Sequence, residues 1–430
     1  MQTRSFISVA ILAALAPAVT GLHPAAARSF QAVEVQGNKL IAKDSILQAC
    51  DINAGVDYDQ DDLSAREECL QSSGMFKSVA LHPADDTLVV AVEEVDMRPG
   101  HVEFSVAYDT QNKIVGSLYF ERYNLFPDTF GSVELNAAEE MRSLRTGLYY
   151  SGLEDGKTGI GMDGLLRHTD YEDQGYASDR AQIEGYLAKD LGVAGRLEFG
   201  LGYRSLKMSD TSGGASALIA SEAGASNAPY LRFGYKYSSA DARKGPDAPG
   251  YSVALDQYFW GLNDDNTVSE TRIDANARFA LGADTSLLLG FQGGVVAGLG
   301  GDTTRAVDRF NLGGADFRGF APRGIGPKDG GYFVGGNTYA VASAEVQRGI
   351  GTVFDTPVRA GVFANIGSLW SLDDTLGGTI DDSAKLRSSV GLSMTFDISG
   401  APVSLYVAKA IDKETGDDTQ SFGLSIAARF

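Results

Sequence analysis

The stretch from Leu312 to Pro327, LGGADFRGFAPRGIGP, decides the reading of this chain. It is too polar for a membrane strand and too rich in Gly for a helix, so it is a loop. The loop sets the pair Arg318-Gly319 between Phe317 and Phe320. On either side the chain alternates with period two. Leu197, Phe199, Leu201 and Tyr203 share one face, with Arg196, Glu198, Gly200 and Gly202 on the other. Leu231, Phe233, Tyr235 and Tyr237 oppose Arg232, Gly234 and Lys236, and Ile273, Ala275, Ala277, Phe279 and Leu281 oppose Arg272, Asp274, Asn276 and Arg278. Segments of ~10 residues, apolar on one side and polar on the other, are the pattern of a transmembrane β-barrel that turns its apolar face to lipid. A soluble sandwich also alternates, but with shorter strands and its apolar face inward.

The expected fold is therefore mainly β: about sixteen barrel strands over residues 101–430, at roughly 20 residues per strand and connection. On that count the Gly-rich segment, about 301–336, is a long loop between strands eleven and twelve that folds into the barrel. Closure pairs a first strand near Glu103 to Asp109 with a last strand from Gln420 to Phe430. That last strand carries Phe422, Leu424, Ile426, Ala428 and the terminal Phe430 on one face. Gly423, opposite, thins the packing at this seam.

Composition agrees with strands and turns: 52 Gly against 12 Pro, with 10 % aromatic residues. A net charge of −20 argues against nucleic acid as a partner. Arg4, the apolar run Phe6 to Leu15 and the small residues Ala25-Ala26-Ala27 read as a signal peptide over residues 1–27. No later apolar run reaches the ~18 residues of a spanning helix, so a membrane crossing must use a closed barrel. None of the four His has metal-ligand spacing with another His or Cys, no G-x-S-x-G elbow is present, and no catalytic, metal or cofactor site is expected. Gly159-Ile160-Gly161-Met162-Asp163-Gly164 matches a dinucleotide fingerprint but sits inside an alternating strand with no helix after it.

Residues 28–95 read as a separate unit, β-α-α-β-β, followed by a linker over residues 96–100. Asp44-Ser45 precedes Ile46-Leu47 as a first helix start, and Asp59 with Asp62 caps a second helix that ends at Gly74. Cys50 and Cys69 fall near the ends of the two helices. In an exported chain they are expected to pair, two buried thiols being the alternative. Such a bridge stabilises by roughly 3 kcal/mol in the chain-entropy account.

This unit resembles a POTRA domain, the periplasmic module of BamA/TamA-type outer-membrane assembly proteins. The likeness is carried by Val33-Glu34-Val35-Gln36-Gly37-Asn38, the Gly55–Tyr58 turn, Leu70 with Ser73-Gly74-Met75-Phe76, and Val79-Ala80-Leu81. Phe317-Arg318-Gly319-Phe320 resembles the inward-loop motif of the same superfamily, which places a Glu on the next strand and an Asp on the one after. Glu345 takes the first place; Asn365, in Phe363-Ala364-Asn365-Ile366-Gly367, takes the second. The resemblance implies that Arg318, Gly319 and Phe320 are anchored in the lumen by Glu345 and Asn365, a structural role. An uncharged Asn implies a looser lock. It further implies an outer-membrane location in a Gram-negative cell, with the single module in the periplasm, no cofactor and no enzymatic activity. Expected partners are outer-membrane lipid, unfolded outer-membrane or secreted clients, and periplasmic chaperones or lipoproteins. Clients would pair with module edges and with a seam able to open, and Phe430 resembles the recognition signal of barrels in general. Alternatives are a two-partner-secretion-type transporter and a passive pore.

Overall fold

The structure is a computed structural model and describes residues 28–38, 41–95, 100–109, 113–153, 156–239, 248–262, 266–282, 284–353, 356–398 and 401–429. The signal segment and Phe430 lie outside the described residues, as does most of the expected linker. The described residues fall into two compact units, 28–95 and 100–429.

In the first unit β1 (Arg28–Ser29) pairs with β3 (Asp57–Tyr58), and β2 (Ala32–Gln36), β5 (Thr87–Glu94) and β4 (Phe76–Ala84) form a sheet in the order β2-β5-β4. Strand β5 is central and runs parallel to β2 and antiparallel to β4, so β2 and β4 are the sheet edges. Helix α1 is Lys43–Ala49 and α2 is Gln60–Ser72. The cap of α2 is reciprocal: the Asp62 amide donates to Asp59 at 2.8 Å and the Asp59 amide donates back to the Asp62 carboxylate. Helix α1 differs from expectation. It starts at Lys43, after Ala42, with no side-chain cap, because Asp44, the expected cap, is already in its first turn. Phe30, Ile46, Leu70, Leu88 and Val90 are fully buried between sheet and helices. Cys50 and Cys69 are joined in a disulfide.

The second unit is a closed barrel of sixteen antiparallel strands. They are β6 (His101–Asp109), β7 (Lys113–Phe126), β8 (Thr129–Ala137), β9 (Met141–Tyr150), β10 (Thr158–Tyr171), β11 (Tyr176–Leu191), β12 (Gly195–Asp210), β13 (Gly224–Ser238), β14 (Gly250–Trp260), β15 (Val268–Ala280) and β16 (Thr285–Gly298). After the long loop come β17 (Thr338–Val353), β18 (Thr356–Trp370), β19 (Arg387–Ile398), β20 (Ala401–Asp412) and β21 (Phe422–Arg429). Period-two alternation dictates the two faces. Leu197, Phe199, Leu201 and Tyr203 are exposed on the outside. Between them Glu198 points inward, where Arg196 and Arg232 hold it at 2.8 Å. Arg232 also donates to Glu184 at 2.7 Å, so the wall of the lumen is cross-linked by charge-assisted bonds. The glycines of the apparent dinucleotide fingerprint lie within β10, where the rings of Tyr149 and Tyr186 cover Gly159 and Gly161. They leave room for tyrosines, not for phosphate. No described helix is long and apolar enough to cross a membrane.

Candidate functional site

The loop between β16 and β17 enters the barrel because its apolar residues have a core to fill. Phe317 and Phe320 pack as tilted rings with centroids 4.9 Å apart and are fully buried, against Tyr230, Trp260, Val341 and Leu369 from the wall. Burying two rings forces the dipeptide between them into the lumen, where its polar atoms need partners. The Arg318 guanidinium meets Glu345 of β17 at 2.8 Å and lies 3.4 Å over the ring of Phe363 on β18. Glu345 accepts further hydrogen bonds from Ser393 and Gln347. The anchor is thus an ion pair, a cation–π stack and a carboxylate already held in place.

Asn365 does something other than replace a charge. Its Nδ2 donates to the backbone carbonyl of Arg318 at 3.4 Å and to Ser389 at 3.2 Å, and the Ser389 hydroxyl donates to the same carbonyl. An amide can donate there; a carboxylate cannot. Gly319 has φ +107°, and a Cβ on it would stand 2.8 Å from the Cβ of Ser389. The position requires glycine both for backbone angle and for space.

Past Gly319 the loop grips the segment that leads into the last strand. Gly319 and Phe320 pair antiparallel with Gln420 and Thr419. The Ala321 amide donates to Asp418 at 2.9 Å, the Asp418 amide to Gly324 at 2.8 Å, and Lys328 donates to Gly416 at 2.7 Å. Gln420 therefore belongs to this clasp and not, as the sequence led us to expect, to the barrel wall, because the inward loop offers its backbone a closer partner. Asp417 in the same segment is held by both nitrogens of Arg387 at 2.9 Å.

Strand β21 itself is lightly paired. Among the described residues its ladder covers Ser425–Arg429 against β6 and Val403–Val407 of β20 on the other side, five residues each. The β11–β12 ladder, by contrast, runs over all of Tyr176–Leu191. Gly423 does not leave a gap: the ring of Tyr406 lies against it, so close that a Cβ would overlap the ring. Tyr406 in turn meets Phe363 edge to face at 6.2 Å. A contiguous stack thus runs Arg318, Phe363, Tyr406, Gly423, from the loop motif to the closing strand.

Three further anchors have no local sequence signal. Arg309 forms a two-pronged pair with Glu222, at the end of α3 (Ala217–Glu222), at 2.7 Å. Arg323 reaches Asp173 at 2.9 Å and Glu140 at 2.7 Å. Arg204 of β12 and Arg305 both face Asp308 at 3.4 Å. Burial pushes the Asp308 carboxyl up, but the Arg204 and Arg305 charges outweigh it and hold the group below the usual carboxylate range. Near the loop ends, Tyr176, Met208, Leu218, Ile219, Val334 and Ile380 form an apolar cluster that joins the neighbouring loops. Among the described residues no group of His, Cys, Asp or Glu is arranged to hold a metal.

A chain with this geometry has known counterparts. It is 26 % identical over 367 residues to the outer membrane protein assembly factor BamA of Neorickettsia risticii (strain Illinois), covering 83 % of this chain and 49 % of that protein. The chain thus spans about half the length of the curated relative it matches. In fold it is similar to BamA from Haemophilus ducreyi lacking POTRA domains 1–3, with a TM-score of 0.75 at 17 % identity over 94 % of this chain and 84 % of that one. It is also similar to CdiB from Acinetobacter baumannii, with a TM-score of 0.58 at 11 % identity over 95 % and 74 %. The Omp85 superfamily domain matches residues 101–430, from the first barrel strand to the last residue, and the chain belongs to the Omp85 superfamily.

Proposed function

We propose that this protein helps β-strand clients insert into the outer membrane by lending them the edge of its own closing strand. The observation that carries the reading is the combination of a ladder of five register pairs among the described residues of the seam with a loop clasp on the segment that feeds it. Among the described residues, opening the β21–β6 ladder exposes about a third as many backbone groups as opening β11–β12 would. In lipid each exposed group costs several kcal/mol, so an edge persists only while a client strand takes the vacated place. The clasp by the inward loop supplies the order that the short ladders lack, and its release would free the strand.

Residues 28–95 act, on this proposal, as a periplasmic POTRA module whose edges β2 and β4 receive extended client segments by strand addition. The rival route, through the lumen as in a secretion transporter or pore, requires the inward loop to leave. That means breaking the Arg318, Arg309 and Arg323 anchors together and exposing two buried phenylalanines, which favours the seam. The test is reconstitution of the full chain into phospholipid vesicles presented with an unfolded barrel protein. The proposal expects faster client folding than in empty vesicles; equal rates, or release of a soluble client to the other side, would overturn it.

A further inference from the structure

The lumen wall at β10 and β11 sets two like charges directly across a ladder. Arg167 and Arg180 are direct register partners on these strands. Both face inward, since Leu166 beside Arg167 is exposed on the outer surface, as is Ile183 on β11. Arg145 of β9 sits next to them on the same face, opposite Leu165. Like charges directly across a ladder repel and destabilise it.

Asp163 shares the inner face of β10 with Arg167, and the other nearby carboxylates are engaged. Glu184 and Glu198 are taken by Arg232, Asp308 by Arg204 and Arg305, and Glu134, the register partner of Arg145, accepts from Asn136. Among the described residues the Arg167 Nε is buried with no hydrogen-bond partner. All three arginines line a lumenal cavity of about 480 Å³ with eight Lys or Arg and six Asp or Glu in its wall. Arg309 there is neutralised by Glu222, whereas the unpartnered Arg167 Nε and the like charge across the ladder offer donors to an anion.

We propose that Arg167 and Arg180, flanked by Arg145, bind a small tetrahedral oxyanion in the lumen. Two guanidinium forks from adjacent strands match the geometry of an oxyanion that accepts from both, and its charge removes the repulsion between them. The ligand is a free ion, because the two arginines face the lumen and not the outer, lipid-facing surface.

The experiment uses the full chain in detergent at slightly alkaline pH and constant ionic strength, with inorganic phosphate exchanged for chloride. Calorimetric titration and thermal unfolding are read for wild type, Arg167→Gln, Arg180→Gln and the outward-facing Lys207→Gln. Saturable phosphate binding that raises the unfolding temperature is expected for wild type and Lys207→Gln. Each lumenal variant should bind phosphate about tenfold more weakly or worse. In chloride alone the same two variants should unfold at or above the wild-type temperature, because the repulsion is gone. Equal responses to phosphate and chloride, retained binding in both lumenal variants, or variants less stable than wild type in chloride would each overturn the assignment.

Discussion

Replacing Arg318 by alanine tests how the inward loop is held. The guanidinium is four-fifths buried against Glu345, whose own carboxylate is almost fully buried, and it covers the Phe363 ring. Removing one partner of a buried pair costs about 3–5 kcal/mol, chiefly because the other charge is stranded. Glu345 keeps its bonds from Ser393 and Gln347, which places the loss at the lower end, about 3 kcal/mol. At about 1.4 kcal/mol per factor of ten, the ratio of docked to released loop falls roughly a hundredfold. The readout is hydrogen exchange at the Ala321 and Asp418 amides, which bond across the clasp. Their exchange should quicken about a hundredfold, while amides of the β11–β12 ladder hold their protection. Arg318→Lys keeps the charge but cannot lie flat on Phe363 or reach in a fork, and should fall between, near tenfold. A change below about threefold at those two amides in Arg318→Ala would mean that the Arg318–Glu345 pair does not hold the loop.

Gly319→Ala places a Cβ 2.8 Å from Ser389 at a φ of +107°, at a cost of about 1–3 kcal/mol, and should make the loop open to protease in the folded barrel. Wild-type resistance in that variant would contradict the packing described. Asp308, held below the usual carboxylate range, contributes stability that is present above the unfolded value of about 3.9 and is lost as pH falls through its lower folded value. Fluorescence of Trp260, on whose ring Arg204 stacks at 4.3 Å, should therefore report loop release in acid, and Asp308→Asn should abolish that acid step. Cys50→Ser with Cys69→Ser opens the bridge across 19 residues and should cost about 3 kcal/mol. In calorimetry of the full chain this lowers an early transition by roughly 15 °C and leaves the barrel transition in place.

The barrel was legible because its signal is local: each strand states its own two faces within about ten residues. Sixteen strands, and a long loop between the eleventh and twelfth, follow from that alternation and the turn residues. Arg318 and Glu345 were singled out by motif and strand order, and they stand 2.8 Å apart. The other anchors were not legible, because an arginine in a polar loop looks the same paired or free. Arg323 finds Glu140 at a separation of 183 residues, and only the closed barrel brings them together. Asn365 was read by its lost charge, whereas its position asks for a donor to a backbone carbonyl. Gly423 was read as a thin spot, although Tyr406 arrives from the neighbouring strand to cover it. Helix α1 misled by carrying a capping residue inside its first turn.

Whether client folding passes through the β21–β6 seam is tested by a reversible lock. Val106 and Ala428 are register partners across that seam, so cysteines at both positions can be joined and released. In a Cys50→Ser, Cys69→Ser background the locked protein in vesicles should lose its acceleration of client folding, and reductant should restore it, with the unlocked background unaffected by the same reductant. A locked seam that accelerates folding as well as the open one would contradict the account.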